Sequence, residues 1–237
     1  NTVTNRTQVE PFGMLAVMPG QDFESRGFTG GPFTPTNWVY TLSNAGNATL
    51  SWQARSSDCA GSSGLVAWWP LEGNAADNIG TNPGAVLGGA QFASGFVGQA
   101  LSFDGNDDGV RIPRSPSLNV GLGSGLTMEA WINPTDISQQ RPIIEWGDAS
   151  AIGVQMWISV APFGGPGSIF VNVSETPATH HSFASPNLLQ PNVWQHVALT
   201  YNKNAGVATI YFNGAIAQQQ SIGSFTPLTS QEFWIGR

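Results

Sequence analysis

The 237-residue sequence is poor in cysteine, in lysine and in charge of either sign. Cys59 is the single cysteine, which excludes an internal disulfide, and Lys203 is the single lysine. The arginines are scattered through a chain whose net charge is −7, so neither binding to nucleic-acid phosphates nor binding to an anionic membrane surface is expected. No apolar run approaches the ~20 residues that span a bilayer, so membrane insertion is not expected either.

The sequence is instead rich in turn-forming and aromatic residues, with 29 Gly, 16 Pro, 9 Trp and 13 Phe. The stretch Val193–Ala217 is typical of two strands joined at 204–206, with a second turn at Asn213-Gly214, where positive φ is tolerated. No window shows a 3.6-residue apolar period over three turns. The pattern predicts an all-β protein, an antiparallel sandwich of the jelly-roll type.

Ten runs after residue 62 combine apolar and β-branched residues at the length of a strand. The predicted strands are Leu65–Trp69, Ala100–Phe103, Val110–Pro113, Leu126–Ile132, Pro142–Trp146, Val154–Val160, Ser168–Val173, Val193–Tyr201, Val207–Phe212 and Glu232–Ile235.

The small, polar stretch 56–64 is typical of a linker and predicts a division near residue 60. Residues 1–62 hold the strand-like pieces Met14–Met18, Trp38–Leu42 and Thr49–Ala54, which predict a small sandwich-like segment and the linker. Residues 63–237 are expected to form the larger jelly roll. Acidic residues outnumber basic ones mainly in this second part.

Four pieces of the second part carry a resemblance to a known family, and they occur in the family's order: Gly64–Asp77, Gly98–Gly105, Leu126–Ile132 and Trp194–Tyr201. They resemble the laminin-G-like jelly roll of the concanavalin A-like lectin/glucanase superfamily. The family usually continues with a further Asp-containing strand, whereas this sequence stops at Arg237. The resemblance therefore implies that C-terminal strands are missing and that the strand at 232–235 borders an open sheet edge.

The first part resembles the opening strands of immunoglobulin-like modules of bacterial multidomain surface proteins. The residues that carry this resemblance are Gly30–Pro35 and Tyr40–Gly46. A complete module needs about seven strands over ~100 residues, so only part of one is expected here.

Two acidic segments are candidate calcium sites. The run Asp104-Gly105-Asn106-Asp107-Asp108-Gly109 matches the first half of a calcium loop, but the twelfth position is Ser115 and not Glu, which excludes an EF-hand. A different calcium site with Asp104 and Asp108, or a plain turn bonded to its own backbone, both remain open. The family resemblance adds Asp77 as a calcium ligand; the alternative is a solvated loop acid.

Aromatic residues near predicted loops are candidates for stacking on sugar rings. Trp146 and Trp157 fall in such positions, and Asp148 beside them is a candidate polar contact. Glu145 and Asp148 are expected to face opposite sides of a strand, which argues against a glycosidase pair. The Glu-x-Asp-x-x-Glu pattern of the superfamily's glucanases is absent from the sequence.

The sequence therefore predicts a non-catalytic recognition module, secreted or displayed at a bacterial cell surface. Its expected ligands are a polysaccharide or a surface protein, as in adhesion, with calcium as a possible aid. Its near lack of cysteine and its low lysine content are typical of bacterial secreted proteins. Two alternatives remain open: a structural spacer in a larger multidomain chain, and a glycoside hydrolase.

Overall fold

The computed structural model describes residues 64–237 throughout, together with the backbone of four short strands in the first part. The chain divides into two compact units, residues 1–65 and 66–237. In the first unit the described strands form two antiparallel pairs; they are β1 (Leu15–Met18) with β4 (Thr41–Asn44), and β2 (Arg26–Gly27) with β3 (Phe33–Thr34). The piece Thr49–Ala54 and Cys59 lie outside the described residues, and the immunoglobulin-like module stays a prediction.

The second unit consists of strands with two single-turn 3₁₀ helices, Pro116–Leu118 and Val120–Leu122. Its strands are β5 (Ala85–Leu87), β6 (Gln91–Ser94), β7 (Gln99–Ser102), β8 (Gly109–Ile112), β9 (Gly125–Ile132), β10 (Arg141–Gly147), β11 (Ile152–Ile158), β12 (Ile169–Thr176), β13 (Thr179–Ala184), β14 (Gln195–Asn202), β15 (Val207–Phe212), β16 (Ala215–Ser221) and β17 (Phe233–Ile235). None of the described residues belongs to a helix with the length and hydropathy needed to cross a bilayer.

These strands form two main antiparallel sheets and a separate β6–β7 hairpin. The larger sheet has the order β13-β12-β11-β10-β17-β8-β5, and the smaller one β16-β15-β14-β9. Alternate residues of both sheets turn inward and form one core, as along β14, where Val197, Leu199 and Tyr201 are buried. The predicted fold class, an all-β antiparallel jelly-roll sandwich, is confirmed.

Strand β17 occupies the middle of the larger sheet, between β8 and β10. Phe233 lies opposite Trp146 on one side and Ile112 on the other. The expectation that this strand borders an open edge is therefore wrong; the edges of the sheet are β5 and β13.

The run Leu65–Trp69 is not a strand, contrary to its apolar pattern. Its polar groups bond to a neighbouring loop instead. The backbone N–H of Trp68 donates to Asp77 at 2.9 Å, and the indole N–H of Trp69 donates to the carbonyl of Asn82 at 2.8 Å. The apolar residues of this run pack on the core without strand pairing: Val66, Ala67 and Trp69 contact it, and the rings of Trp69 and Phe233 stack with centroids 5.1 Å apart.

Candidate functional site

One register row of mostly polar side chains crosses the larger sheet on the face away from the core. The neighbouring rows, such as Ile144 with Met156 and Val171, belong to the core, and side chains alternate between the two faces of a strand. The members of the outward row, in strand order, are Arg111, Trp234, Glu145, Gln155, Asn172 and Ser182.

An open groove of about 360 Å³ lies on this face, over β10 and β11. We refer to it as the outer groove; its lining residues are Glu145, Gly147, Asp148, Ile152, Gln155, Trp157 and Arg237. Aromatic, amide, aliphatic and charged groups therefore meet at one surface. Shallow sites of this mixed character are suited to ligands that have both apolar faces and hydroxyl groups.

Glu145 is the central side chain of the groove, and it is only 3% exposed. Its Oε2 accepts hydrogen bonds from the side-chain amide of Gln155 at 2.8 Å and from the indole N–H of Trp157 at 2.9 Å. Its Oε1 accepts from Nη1 of Arg237 at 3.0 Å. A buried carboxylate needs such donors, and here the three donors are groove residues that it holds in place.

Trp157 and Trp234 are both partly exposed on this face, but they are covered differently. The guanidinium of Arg237 lies 4.9 Å from the ring centroid of Trp234, a cation–π contact that covers that ring. Trp157 lines the groove itself, so it is the aromatic ring available for stacking there.

Trp146, in contrast, points into the core and is 3% exposed. Its ring packs edge-on against Phe233, with centroids 4.6 Å apart. The interpretation of Trp146 as a ligand contact is inconsistent with this burial. Proximity to a predicted loop does not determine the face of a strand residue, and the two-residue alternation along β10 turns Glu145 outward and Trp146 inward.

Asp148 lines the groove and fixes the turn between β10 and β11. Its Oδ1 accepts from the backbone N–H and hydroxyl of Ser150, and its Oδ2 accepts from Nε of Arg114 at 3.0 Å. The bonds from Ser150, with those from Arg114, hold the pKa of the Asp148 carboxyl well below its usual range. Asp148 is therefore ionised and already occupied by protein donors.

Glu145 and Asp148 line the same groove, so the expectation that they face opposite sides of a strand is wrong. Strand β10 ends at Gly147, and its register with β11 shifts between Glu145 and Gly147. The alternation rule no longer applies after such an irregularity.

Four of the groove residues are not predicted from the sequence: Gly147, Ile152, Gln155 and Arg237. Gln155 could have been found, because it stands two residues before Trp157 and therefore shares its face of β11. The arginine gave no such signal, since its approach to Glu145 depends on the pairing of β17 with β10.

Asp104, Asp107 and Asp108 form a second, separate group, with one oxygen of each carboxylate within 4.8 Å of the others. The Asp104 carboxylate accepts from the backbone N–H and side-chain amide of Asn106, at 2.8 and 3.0 Å. These bonds lower the pKa of Asp104. The hydrogen bonds of a plain turn are thus present beside the point where the three carboxylates converge.

Asp77 does not join that group among residues 64–237. Its two oxygens accept five hydrogen bonds, from the backbone N–H groups of Trp68, Ile79, Gly80 and Asn82 and from the side-chain amide of Asn82. Burial disfavours the charged form, but the hydrogen bonds outweigh it and lower the pKa of Asp77. The carboxylate thus holds this loop together, and its oxygen lone pairs are already occupied by N–H donors, which disfavours binding of a cation.

A laminin G family model of the concanavalin A-like lectin/glucanases superfamily matches residues 104–237. The resemblance seen in the sequence is confirmed for this range, and most of its first two pieces precede it. No protein among curated sequences matches the chain significantly.

Solved structures resemble the chain at low sequence identity. Domain 4 of AbnA, an extracellular GH43 arabinanase from Geobacillus stearothermophilus in complex with arabinotriose, is 18% identical with a TM-score of 0.52, over 72% of this chain and 82% of that domain. The CBM40 of Ruminococcus gnavus IT-sialidase, bound to sialyllactose, is 14% identical with a TM-score of 0.41, over 54% and 76%. The first of these likenesses supports the jelly-roll fold.

Proposed function

Because the chain belongs to the concanavalin A-like lectin/glucanases superfamily, we propose that its second unit is a non-catalytic module that binds carbohydrate in the outer groove. The observation that carries this proposal is Trp157, a groove-lining ring held by Glu145 beside the amide of Gln155. An anchored ring loses little conformational freedom when a ligand stacks on it.

The chemistry of the groove suits a sugar. Pyranose and furanose rings carry C–H faces that pack on an aromatic ring, and Trp157 with Ile152 offers such an apolar surface. Gln155 and Arg237 supply amide and guanidinium donors at the same surface, which can bond to hydroxyl groups. An open groove also admits the middle of a polysaccharide chain as well as its end.

A binding survey with polysaccharides tests the proposal. The arabinanase domain of similar fold is in complex with arabinotriose, which makes linear arabinan a reasonable first probe, followed by xylan and β-glucan. We expect the folded chain to be retained in affinity electrophoresis by at least one of these polymers. A folded sample that is retained by no polysaccharide would contradict the proposal and favour the structural-spacer alternative.

The hydrolase alternative is less well supported by the geometry. A glycosidase needs one carboxyl that keeps its proton until the leaving group takes it. Asp148 has a pKa well below its usual value and is bonded to Arg114, while Glu145 is bonded to three donors. Release of reducing sugar from arabinan or β-glucan by the purified chain would reinstate this alternative.

Calcium is proposed for the Asp104, Asp107 and Asp108 group and not for Asp77. Carboxylate oxygens are the hard ligands that Ca²⁺ prefers, so the donor chemistry fits. With one oxygen from each residue, the three carboxylates supply three of the six to eight ligands, and the guanidinium of Arg141 lies against Gly105 of this turn. We therefore expect weak binding, with a structural rather than a ligand-bridging role.

The cellular location and the multidomain context are proposed from the amino-acid composition. Low cysteine and lysine with net negative charge support a module that is secreted or displayed at a bacterial cell surface, within a larger multidomain chain. A surface protein remains the alternative to a polysaccharide as partner, for instance in adhesion.

A further inference from the structure

We infer that the outer groove selects uncharged glycans and rejects polyuronates, and that Glu145 decides this selectivity by acting as the internal counter-ion of Arg237. The inference rests on the proposed function and assigns it a ligand class.

Arg237 is the one cation among the described residues that line the groove, and its side chain is 49% exposed. Two contacts fix its guanidinium: the 3.0 Å bond to Oε1 of Glu145 and the ring of Trp234 beneath it. A fixed guanidinium at a groove surface is the usual receptor for a sugar carboxylate. Its exposure alone would therefore predict an acidic ligand.

The partner of Arg237 reverses that expectation. Glu145 is buried and bonded to Arg237 at 3.0 Å, so a ligand meets a close ion pair instead of an isolated positive charge. A uronate on the remaining N–H groups of Arg237 would place a second negative charge beside the Glu145 carboxylate, which is unfavourable. A uronate that displaced Glu145 would leave that carboxylate buried without its cation, which is strongly unfavourable as well. An uncharged hydroxyl can instead accept from the other N–H groups of Arg237 while the pair stays intact.

The remaining charges around the groove are matched in the same way. Asp148 is paired with Arg114, and next to this pair Glu232 is paired with Arg111. The bonds from Arg111 lower the pKa of Glu232, so this pair is fully charged at neutral pH. No lining residue within the described part of the chain thus presents an unmatched cation, and the net charge of −7 further disfavours a polyanion.

Glu145→Gln tests the role of the counter-ion. The amide oxygen of glutamine can still accept from Gln155 and Trp157, but the positive charge of Arg237 is no longer matched. We expect this variant to bind polygalacturonate at least about tenfold more tightly than the unmodified chain at about 20 mM NaCl, and to lose the gain at about 300 mM. A residue with a merely structural role would give no gain for any ligand.

A second variant tests the charge selectivity of the groove if Glu145→Gln does not fold. Ile152 lines the groove and is 48% exposed, so Ile152→Lys adds an unmatched cation while the Glu145–Arg237 pair stays intact. We expect the same salt-sensitive gain for polygalacturonate. Ile152→Gln is the matched neutral control and should show none.

The measurements are titrations of the full chain with linear arabinan and polygalacturonate at both salt concentrations. The unmodified chain should bind arabinan with less than about a twofold change between them, and polygalacturonate at least about tenfold more weakly. Salt-sensitive binding of polygalacturonate by the unmodified chain would overturn the inference and leave the proposed function standing. A lack of binding to arabinan, polygalacturonate and every other glycan would overturn both.

Discussion

The indole N–H of Trp157 donates a 2.9 Å hydrogen bond to Oε2 of Glu145, so a groove-lining ring is anchored by a buried carboxylate. We expect Trp157→Ala to weaken glycan binding by at least about tenfold, because the stacking surface is lost. Trp157→Phe should be intermediate, since it keeps a ring but not the anchoring bond. Isothermal titration with the polysaccharide that binds best measures both effects.

Trp68→Ala is the matched control for these variants. Trp68 is 49% exposed and does not line the groove, so its removal should leave the affinity unchanged. Equal losses of affinity for Trp68→Ala and Trp157→Ala would contradict the assignment of the groove.

The carboxylate of Asp77 organises the loop between residues 68 and 82 through five hydrogen bonds. We expect Asp77→Ala to lower the free energy of unfolding by about 2–4 kcal/mol, since hydrogen bonds to a charged group are stronger than neutral ones. Asp77→Asn should cost less, because one oxygen remains for Trp68, Ile79 and Gly80. Urea unfolding measures the difference, and a change below about 0.5 kcal/mol for Asp77→Ala would refute the role.

Stability should fall in acid because several carboxylates have lowered pKa values in the fold. In the folded protein the pKa values of Asp148 and Glu232 lie below their ordinary values of 3.8 and 4.5. Their contribution is complete above these ordinary values and is lost as the pH falls through the lower folded values. We expect constant stability above about pH 5 and a decline below it, shallower in Asp148→Asn, in unfolding titrations at a series of pH values. Stability that stays constant down to about pH 3 would contradict the assigned shifts.

Gly88 brings the loop after β5 against the backbone of the acidic turn. It has a φ of +77°, and a Cβ there would lie 2.3 Å from the carbonyl oxygen of Asp107. Gly165 has a similar φ of +69°, but a Cβ would have no neighbour within 4 Å. Gly165→Ala should therefore cost only the backbone strain of about 1–2 kcal/mol, and Gly88→Ala at least about 1 kcal/mol more. Equal melting temperatures for the two variants would show that the backbone around Gly88 accommodates a Cβ without a loss of stability.

Calcium should raise the melting temperature modestly if the acidic turn binds it, by mass action on the folded state. The rise should disappear in Asp108→Ala, which removes one of the converging carboxylates, and should persist in Asp77→Asn. A rise abolished by Asp77→Asn alone would restore Asp77 as the ligand. A scan without any calcium-dependent shift at millimolar concentrations would identify the group as a plain turn.

The strands with strong local signals were predictable from the sequence. Val207–Phe212 coincides with β15, and the runs 126–132 and 142–146 lie within β9 and β10. Strand β13 was not predicted, because its sequence Thr-His-His-Ser-Phe-Ala is polar on the outward face and carries a single buried Phe183. Its place at the sheet edge follows from a hairpin with β12, in which Thr176 lies opposite Thr179 and Phe170 opposite Ala184.

The candidate site was predictable only in part. Local context predicts Trp157 and Asp148 as site residues, and both line the groove. The same criterion predicts Trp146, which is buried, because the face on which a strand residue lies depends on the register with neighbouring strands. The contact between Arg237 and Glu145 joins distant parts of the sequence and carries no local signal.

The position of β17 has a consequence for how the chain is made. In the larger sheet β5 and β8 reach the remaining strands only through β17, where Val110 pairs with Ile235. At a synthesis rate of about 5–20 residues per second, β8 leaves the ribosome on the order of ten seconds before this partner exists. During that interval the side chains of Val110 and Ile112, which are fully buried in the finished fold, lack the neighbouring strand β17. Assembly of the larger sheet therefore stays incomplete during synthesis until β17 has been made.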